Sequence, residues 1–470
     1  MPSNTHLLRC ACFQQVILPE RPESPAKHHI VSNASKPAEL HKTGLVPSAP
    51  LNALDEVRAA ALEVMGTDID IDAPLMSAGL DSIAVIELVS TLSKRLGIEI
   101  QQTALFDHPT LDSLASFISS ELASNDVIEA SPHEVADPAA ANVPILNTRE
   151  EHKITIATWD FTLAGGITTL SELRSLSMSA LAVNTNVPLA RWATPTPGAK
   201  PSAAYGSFMS ADQLSFDHGA FGISLAEARS MDPQQSLVLG VGYGALIKGS
   251  NSSSSAISRS MFANSNTGVF VGVEPSGLET KEASVFSASG GALSVTAGRL
   301  SFSLGLVGPC YSIDAACASA LAALHACVTT LQNGKECEEG VTIGTKVLSE
   351  ALNFATSIGG MTSARGRCHT FDQRADGYCR GEGCGAFLLR SNSSSGVEVL
   401  GSAVQQDGPS ASLTAPNGSS QRRLIESVSR AITNKNGSSS LEAHGTGTAL
   451  GDPIEVCYHF VVDSMKLLHF

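Results

Sequence analysis

The spacing of apolar positions changes character several times along the chain. Residues 1–50 hold no sustained period and are rich in Pro, Ser, His and Lys, which predicts a disordered leader. From 51 to 123 the period becomes helical. Leu54, Val57, Ala61, Leu62 and Met65 mark one face of a helix over 53–65, and Ile83, Ile86, Val89 and Leu92 mark a second that Asp81 caps and Gly97 ends. A third is expected from Leu111 to Leu122, completing a small all-α bundle. Residues 124–150, rich in Pro, Ala and Asp, read as a linker that lets the bundle swing. Beyond 151 short β-compatible runs alternate with helical ones, an α/β texture. Strands are expected at Ile154 to Ala157, Gly268 to Pro275, Val341 to Leu348 and Val397 to Val404, and a helix at Gln421 to Ile432. The stretch from Ser312 to Gly334 joins both textures: a short approach strand, Tyr311-Ser312-Ile313, enters Asp314 and two alanines, and an Ala/Leu helix then runs to Gly334.

Composition narrows the class. The 470 residues suffice for two or three domains with sizeable cores. A formal net charge of −15 argues against nucleic acid as a partner. Ten cysteines are scattered with no dense framework and no CxxC pair, so a reducing compartment is expected and no metal site. The apolar patches of Leu7 to Leu18 are interrupted by Arg9, Gln14 and Gln15, a poor signal-peptide core, and no run of about 18 apolar residues suggests a membrane span. A soluble, cytoplasmic protein is expected. The basic-leaning leader leaves a plastid or other organelle as the alternative.

Three positions carry candidate chemistry. Cys317 sits near a helix N-terminus, where unpaired N–H groups and the positive end of the macrodipole favour thiolate, although most cysteines in Ala-rich helices are small buried hydrophobes. Ser82 follows Asp81 at the head of the second helix, where a second capping serine is the plain reading. His444 lies in EAHGTGTALGDPIE, residues 442 to 455. The glycines Gly381, Gly383 and Gly385 do not fit a nucleotide loop, since the spacing is not GxGxxG and no Walker-type lysine follows; they are expected to form tight turns beside a catalytic pocket.

Longer stretches resemble known families. SIDAACASALAALHACVTTLQNG around Cys317, RGRCHTFDQRADGYCRGEGCGAFLLR at 365 to 390, FDHGAFGISLAEARSMDPQQSLVL at 216 to 239 and the HGTGT segment resemble β-ketoacyl synthases, the condensing enzymes of fatty acid and polyketide assembly. LMSAGLDSIAVIEL with FDHPTLDSLASFI resembles the acyl carrier domains of polyketide synthases. The resemblance implies an acyl carrier domain over 51–123 and a thiolase-like α/β fold over 151–470, two similar halves packed face to face. It is weakest at TWDFTLAGG, Thr158 to Gly166, where the family follows its first strand with a glycine turn.

By the same resemblance Ser82 is the attachment point of a covalent 4′-phosphopantetheine, Cys317 the nucleophile and His444 one of two catalytic histidines, while Thr446 and Thr448 hydrogen-bond an incoming pantetheine arm. Partners so implied are acyl and malonyl thioesters on carrier domains, a phosphopantetheinyl transferase and a second copy of the chain. The implied function is chain elongation by decarboxylative Claisen condensation. Twelve acidic against three basic side chains in residues 51–123 give the carrier a surface that basic enzymes attract. After GDPIEV the last fourteen residues no longer look like the family, and the second histidine, its supporting lysine and a glycine-rich oxyanion loop are not found in the sequence. A synthase domain with an incomplete second half is therefore expected. The rival expectation is a catalytically dead synthase in which only the carrier module functions.

Overall fold

A computed structural model describes residues 53–125 apart from 74, 76, 77, 79, 81, 99 and 101–103, then 146–147, 153–192, 200–250, 259–278, 284–408, 410, 415–431 and 442–456. The chain divides into two compact units. The leader lies outside the described residues, as does the expected linker except for its first two residues, which extend the last helix of the bundle, and Leu146–Asn147, which pair antiparallel with Gly401–Ser402.

The first unit is helical. Helices α1 (Ala53–Met65), α2 (Ser82–Leu96), α3 (Ala104–Asp107) and α4 (Leu111–Asn125) enclose a core of Val57, Ala60, Leu88, Leu92, Leu111, Leu114 and Ile118. The expected first face is rotated: Ala53 and Ala60 are buried beside Val57 and Ala61, whereas Leu62 is exposed. Small alanines allow close helix approach, so the seam follows them rather than the larger Leu62. Thr110 starts α4, its hydroxyl accepting from Ser113 N at 3.2 Å. Arg58 pairs with Asp68, and Arg95 with Glu56 and Glu63.

The second unit is built on a six-stranded sheet. Its strands are β1 (Ile154–Leu163), β2 (Thr267–Val273), β3 (Cys310–Ile313), β4 (Glu339–Lys346), β5 (Gly383–Ser391) and β6 (Val397–Glu398), in spatial order β3-β2-β4-β5-β1-β6. β2 runs parallel to β3 and β4, while β5 runs antiparallel to both β4 and β1. Period-two alternation sorts the side chains into two cores. Val269, Val271, Val273, Val341, Ile343, Ala386 and Leu388 face helices α5 (Pro233–Gly249) and α6 (Leu293–Leu304). Phe270 and Leu389 face the opposite helix, α7 (Ser319–Asn333), which contributes Ala323, Cys327, Val328 and Leu331.

Three expectations change here. The TWDFTLAGG stretch does not interrupt the first strand, because β1 continues to Leu163 against β5, with a register irregularity between Ile156 and Thr158 absorbing the misfit. Gly383 and Gly385 are not turns but residues of β5, opposite Leu163 and Phe161, while Gly381 bridges to Ser207. The expected strand at 397–404 is only the short β6 and Gly401–Ser402.

The site depends on a close approach between sheet and helix. Gly272 of β2 and Gly344 of β4 are register partners. A Cβ on Gly272 would lie 2.4 Å from the Ser319 backbone, and one on Gly344 would lie 2.7 Å from Ala320 Cβ. The head of α7 therefore rests on bare backbone. Gly272→Ala is expected to lower unfolding stability by about 1–3 kcal/mol through overpacking and to displace the head of α7; urea unfolding together with the alkylation rate of Cys317 checks both.

Candidate active site

The turn before α7 is held in a costly conformation. Ala316 has φ +50°, in the left-handed region where a Cβ is disfavoured, and a single 3₁₀ turn over Ala316–Ala318 leads into the helix. Ser319 fixes it from inside: its buried hydroxyl accepts from Ala315 N at 2.8 Å and donates to Ala316 O at 2.7 Å. Asp314 accepts from Ala316 N at 3.1 Å. The result holds Cys317 up at the helix head, an exposed residue whose thiol is partly screened by its surroundings. Gly334 ends α7 with φ +61°, as its position in the sequence predicts.

Across from it lies the His444 loop. Gly445 and Gly447 both have positive φ, and Gly447 approaches the backbone of Cys368 and His369 so closely that a Cβ would meet His369 N at 2.7 Å. Two carboxylates on the helical segment 451–456 organise this loop. Glu455 accepts from His444 N and from Gly445 N, the latter at 2.7 Å. Asp452, which is buried, accepts from Gly447 N at 3.0 Å, Thr448 N at 3.4 Å and Phe371 N at 2.7 Å, tying the loop to the segment after Arg365. Thr370 Oγ1 donates to Gly445 O at 2.6 Å and Gly377 N to Gly447 O at 2.9 Å. Asp452 and Glu455 stand in the quoted motif, but the sequence reading assigned them nothing; two acids three apart just beyond a Gly/Thr loop were the available signal.

These two loops set the His444 imidazole beside the Cys317 thiol as its hydrogen-bonding partner in the electrostatics of the site. That bond is the largest influence holding the thiol below its ordinary range, against burial and the Glu274 charge, which push it up. The same bond raises the His444 imidazole, helped by the nearby Glu455 and Asp452 carboxylates and opposed by burial. The pair is polarised toward thiolate and imidazolium, a form suited to attack on an electrophilic carbonyl. The other cysteines differ. Burial pushes Cys337 and Cys379 up to about 11 and Cys384 to about 12.

The remaining expected residues are placed as follows. Thr446 and Thr448 lie in the same loop as His444, half-buried, with their hydroxyls 3.1 Å apart. Thr448 Oγ1 also accepts from Gly451 N at 3.0 Å. Ser82 belongs to the other unit and is the first residue of α2, whose first turn carries no acidic side chain. The helix N-terminus there suits the phosphodiester of a covalent phosphopantetheine. Among the described residues no group of three or more His, Cys, Asp or Glu could hold a metal ion, and no helix is long and apolar enough to cross a membrane.

Comparison with known proteins agrees with this layout. The model of the β-ketoacyl synthase N-terminal domain matches residues 152–395, that of its C-terminal domain 397–459, and that of the phosphopantetheine attachment site 55–118. The chain belongs to the β-ketoacyl synthase family, in the modular polyketide synthase arrangement of a carrier followed by a ketosynthase. It is 35% identical over 449 residues to polyketide synthase GfsA of Streptomyces halstedii, covering 89% of this chain and 6% of that protein. It is 32% identical over 434 residues to erythronolide synthase EryA2 of Saccharopolyspora erythraea, covering 86% and 12%. The chain thus spans a small part of the curated relatives it matches. Among solved structures, the ketosynthase from module 6 of the bacillaene synthase of Bacillus subtilis 168 superposes with a TM-score of 0.57 at 26% identity, over 67% of this chain and 55% of that one. The oxazolomycin ketosynthase domain OzmH KS7 of Streptomyces albus gives 0.56 at 28%, over 66% and 55%. The fold is that of the thiolase-like ketosynthases.

Asp452→Ala removes an acceptor shared by three backbone N–H groups, two of them in the His444 loop. It is expected to lower stability by about 3 kcal/mol, the range for bonds to a charged group, and to slow Cys317 alkylation near neutral pH as His444 drifts from the thiol; thermal unfolding and peptide-resolved alkylation read the two effects.

Proposed function

We propose that this chain carries an acyl group on a phosphopantetheine arm at Ser82, and that its Cys317 takes an acyl group from a carrier thioester for decarboxylative condensation with a malonyl-carrier. The observation that carries this reading is the Cys317–His444 hydrogen bond at the head of α7 in a chain that also contains a phosphopantetheine attachment domain.

The first half-reaction is an acyl transfer. The Cys317 thiolate attacks the thioester carbonyl, a new C–S bond forms, the bond to the pantetheine sulfur breaks, and the imidazolium of His444 supplies the proton to that departing thiolate. The backbone N–H groups at the head of α7 are suited to stabilise the developing oxyanion. In the second half, loss of CO₂ from the malonyl thioester leaves an enolate. The enolate forms a C–C bond to the acyl carbonyl, and the Cys317 thiolate departs. His444, whose loop is tied down by Glu455, is suited to donate an N–H hydrogen bond to the enolate oxygen. Thr446 and Thr448 offer hydroxyls to the amides of the pantetheine arm from the same loop.

At Ser82 the arm supplies a flexible thiol that holds acyl groups as thioesters. The protein's part is a helix N-terminus that accommodates the phosphate. A phosphopantetheinyl transferase is then a required partner, and a cytoplasmic setting goes with the reading. Phe302, Val307 and Tyr311, exposed apolar side chains on α6, just after it and on the edge strand β3, support the expected homodimer.

Intact-mass measurement after incubation with a phosphopantetheinyl transferase and coenzyme A, then with an acyl thioester donor, tests the assignment. The expected result is a pantetheine adduct absent from Ser82→Ala and a separate acyl adduct absent from Cys317→Ala, with His444→Ala slowing the second by at least tenfold. An adduct on Ser82 alone supports the carrier-only alternative.

A further inference from the structure

Beyond the two glycines that seat α7, the same sheet face carries charge. Gly272 and Gly344 are register partners, and side chains two residues further along point to the same side. Those residues are Glu274, just past the end of β2, and Lys346, the last residue of β4. They meet: Lys346 Nζ lies 2.5 Å from Glu274 Oε1 and donates to Pro275 O at 3.1 Å. Arg380 joins from a third segment, with Nη2 3.5 Å from the same Glu274 oxygen. All three are largely shielded, with side-chain exposures of 18% for Lys346, 33% for Glu274 and 11% for Arg380.

The arrangement is rigid and incompletely satisfied. Arg380 is fixed by its backbone, its carbonyl accepting from Ser207 N at 2.9 Å. Next along the chain but one, Glu382 is buried and accepts from Met209 N at 2.8 Å and Leu348 N at 2.9 Å, and it pairs with Arg191. Yet Arg380 Nη1 is buried and has no hydrogen-bond partner among the described residues. A buried guanidinium nitrogen without an acceptor is costly, and an oxygen supplied from outside would relieve it.

The cluster lies two residues beyond the glycines on which Ser319 and Ala320 rest, at the helix head that carries Cys317. Glu274 acts on the Cys317 thiol through space, and the half-buried Tyr378, two residues before Arg380, feels Cys317, Arg380 and Glu274 together. An acyl chain on Cys317 that passes this end of the sheet meets an ammonium, a carboxylate and an unpartnered guanidinium N–H where a plain alkyl chain needs apolar contacts. Desolvating such a triad against methylene groups returns no hydrogen bond.

We propose that Glu274, Lys346 and Arg380 form a specificity site for the acyl group on Cys317, selecting chains that bear an oxygen on the third carbon over unsubstituted alkyl chains. This rests on the assignment of Cys317 as the acylated nucleophile. The third carbon's hydroxyl donates to Glu274 and accepts from Arg380 or Lys346, and a site built to hydrogen-bond a substrate oxygen discriminates against the analogue that lacks it.

The test compares 3-hydroxybutyryl- and butyryl-N-acetylcysteamine thioesters, equal in carbon number, as donors to Cys317 in the full chain, followed by intact mass. The unmodified protein is expected to load the hydroxy donor at least tenfold faster. Lys346→Met leaves the Glu274–Arg380 pair, and Arg380→Met leaves the Lys346–Glu274 pair, so neither strands a lone charge. Each is expected to reduce the preference at least threefold while iodoacetamide still alkylates Cys317 at close to the original rate. Equal loading of the two donors by the unmodified protein, or a preference unchanged in both variants, overturns the proposal. Failure of both donors while iodoacetamide still modifies Cys317 overturns the acyl-transfer assignment itself, and the specificity site with it.

Discussion

The second unit depends on one steric constraint: a helix whose head must rest directly on the sheet. Gly272 and Gly344, side by side in neighbouring parallel strands, remove the two side chains that would hold α7 away. Below them Phe270, Ala323, Cys327, Val328 and Leu331 form a dry contact that keeps the helix down. Burial of such side chains contributes on the order of 25 cal/mol per Å² of apolar surface. This stabilisation offsets the left-handed Ala316, a strain of about 1–3 kcal/mol that the isolated turn would relax. Packing in one layer therefore holds the reactive conformation in another.

Electrostatics completes what packing begins. A thiol at a helix head is moderately activated, and the hydrogen bond from His444 takes it further. His444 can serve only because its loop is held by Asp452 and Glu455, whose oxygens bind backbone N–H groups rather than substrate. Cys317 is the main influence favouring the protonated imidazole, and both acids add to it, so the pair that sets the geometry of the histidine also supports its charge. On the sheet face beneath the helix head Glu274 pairs with Lys346 and Arg380, and its charge opposes the thiolate that His444 favours.

Much of this was legible in the sequence, for reasons that differ by element. The helix after Cys317 and its stop at Gly334 were readable because helix period and a left-handed terminator are local properties. So were α1 and the apolar strand β2, which the sequence places within a residue or two. The buried face of α1 was misjudged at Leu62 because alanines rather than leucines set the closest helix contact, a tertiary choice. Gly383 and Gly385 read as turns because glycine usually marks one, but here they are strand residues opposite Leu163 and Phe161. Strand β1 continued through TWDFTL because β5 paired with it, and a partner more than two hundred residues away leaves no local signature. The motif pointed to Cys317 and His444 separately; the hydrogen bond joining them, and the supporting roles of Asp452 and Glu455, required the fold.

The fold favours the thiolate of Cys317 through His444. Ultraviolet titration of thiolate absorbance near 240 nm, taken as the difference between the protein and its Cys317→Ser variant, isolates this one thiol from the buried ones. The step is expected below the ordinary thiol value of about 8.5, because the lowered pKa lets thiolate form as pH rises through that lower value, and it is expected to move upward in His444→Ala. A step at or above the ordinary value, or one that His444→Ala leaves in place, would contradict it.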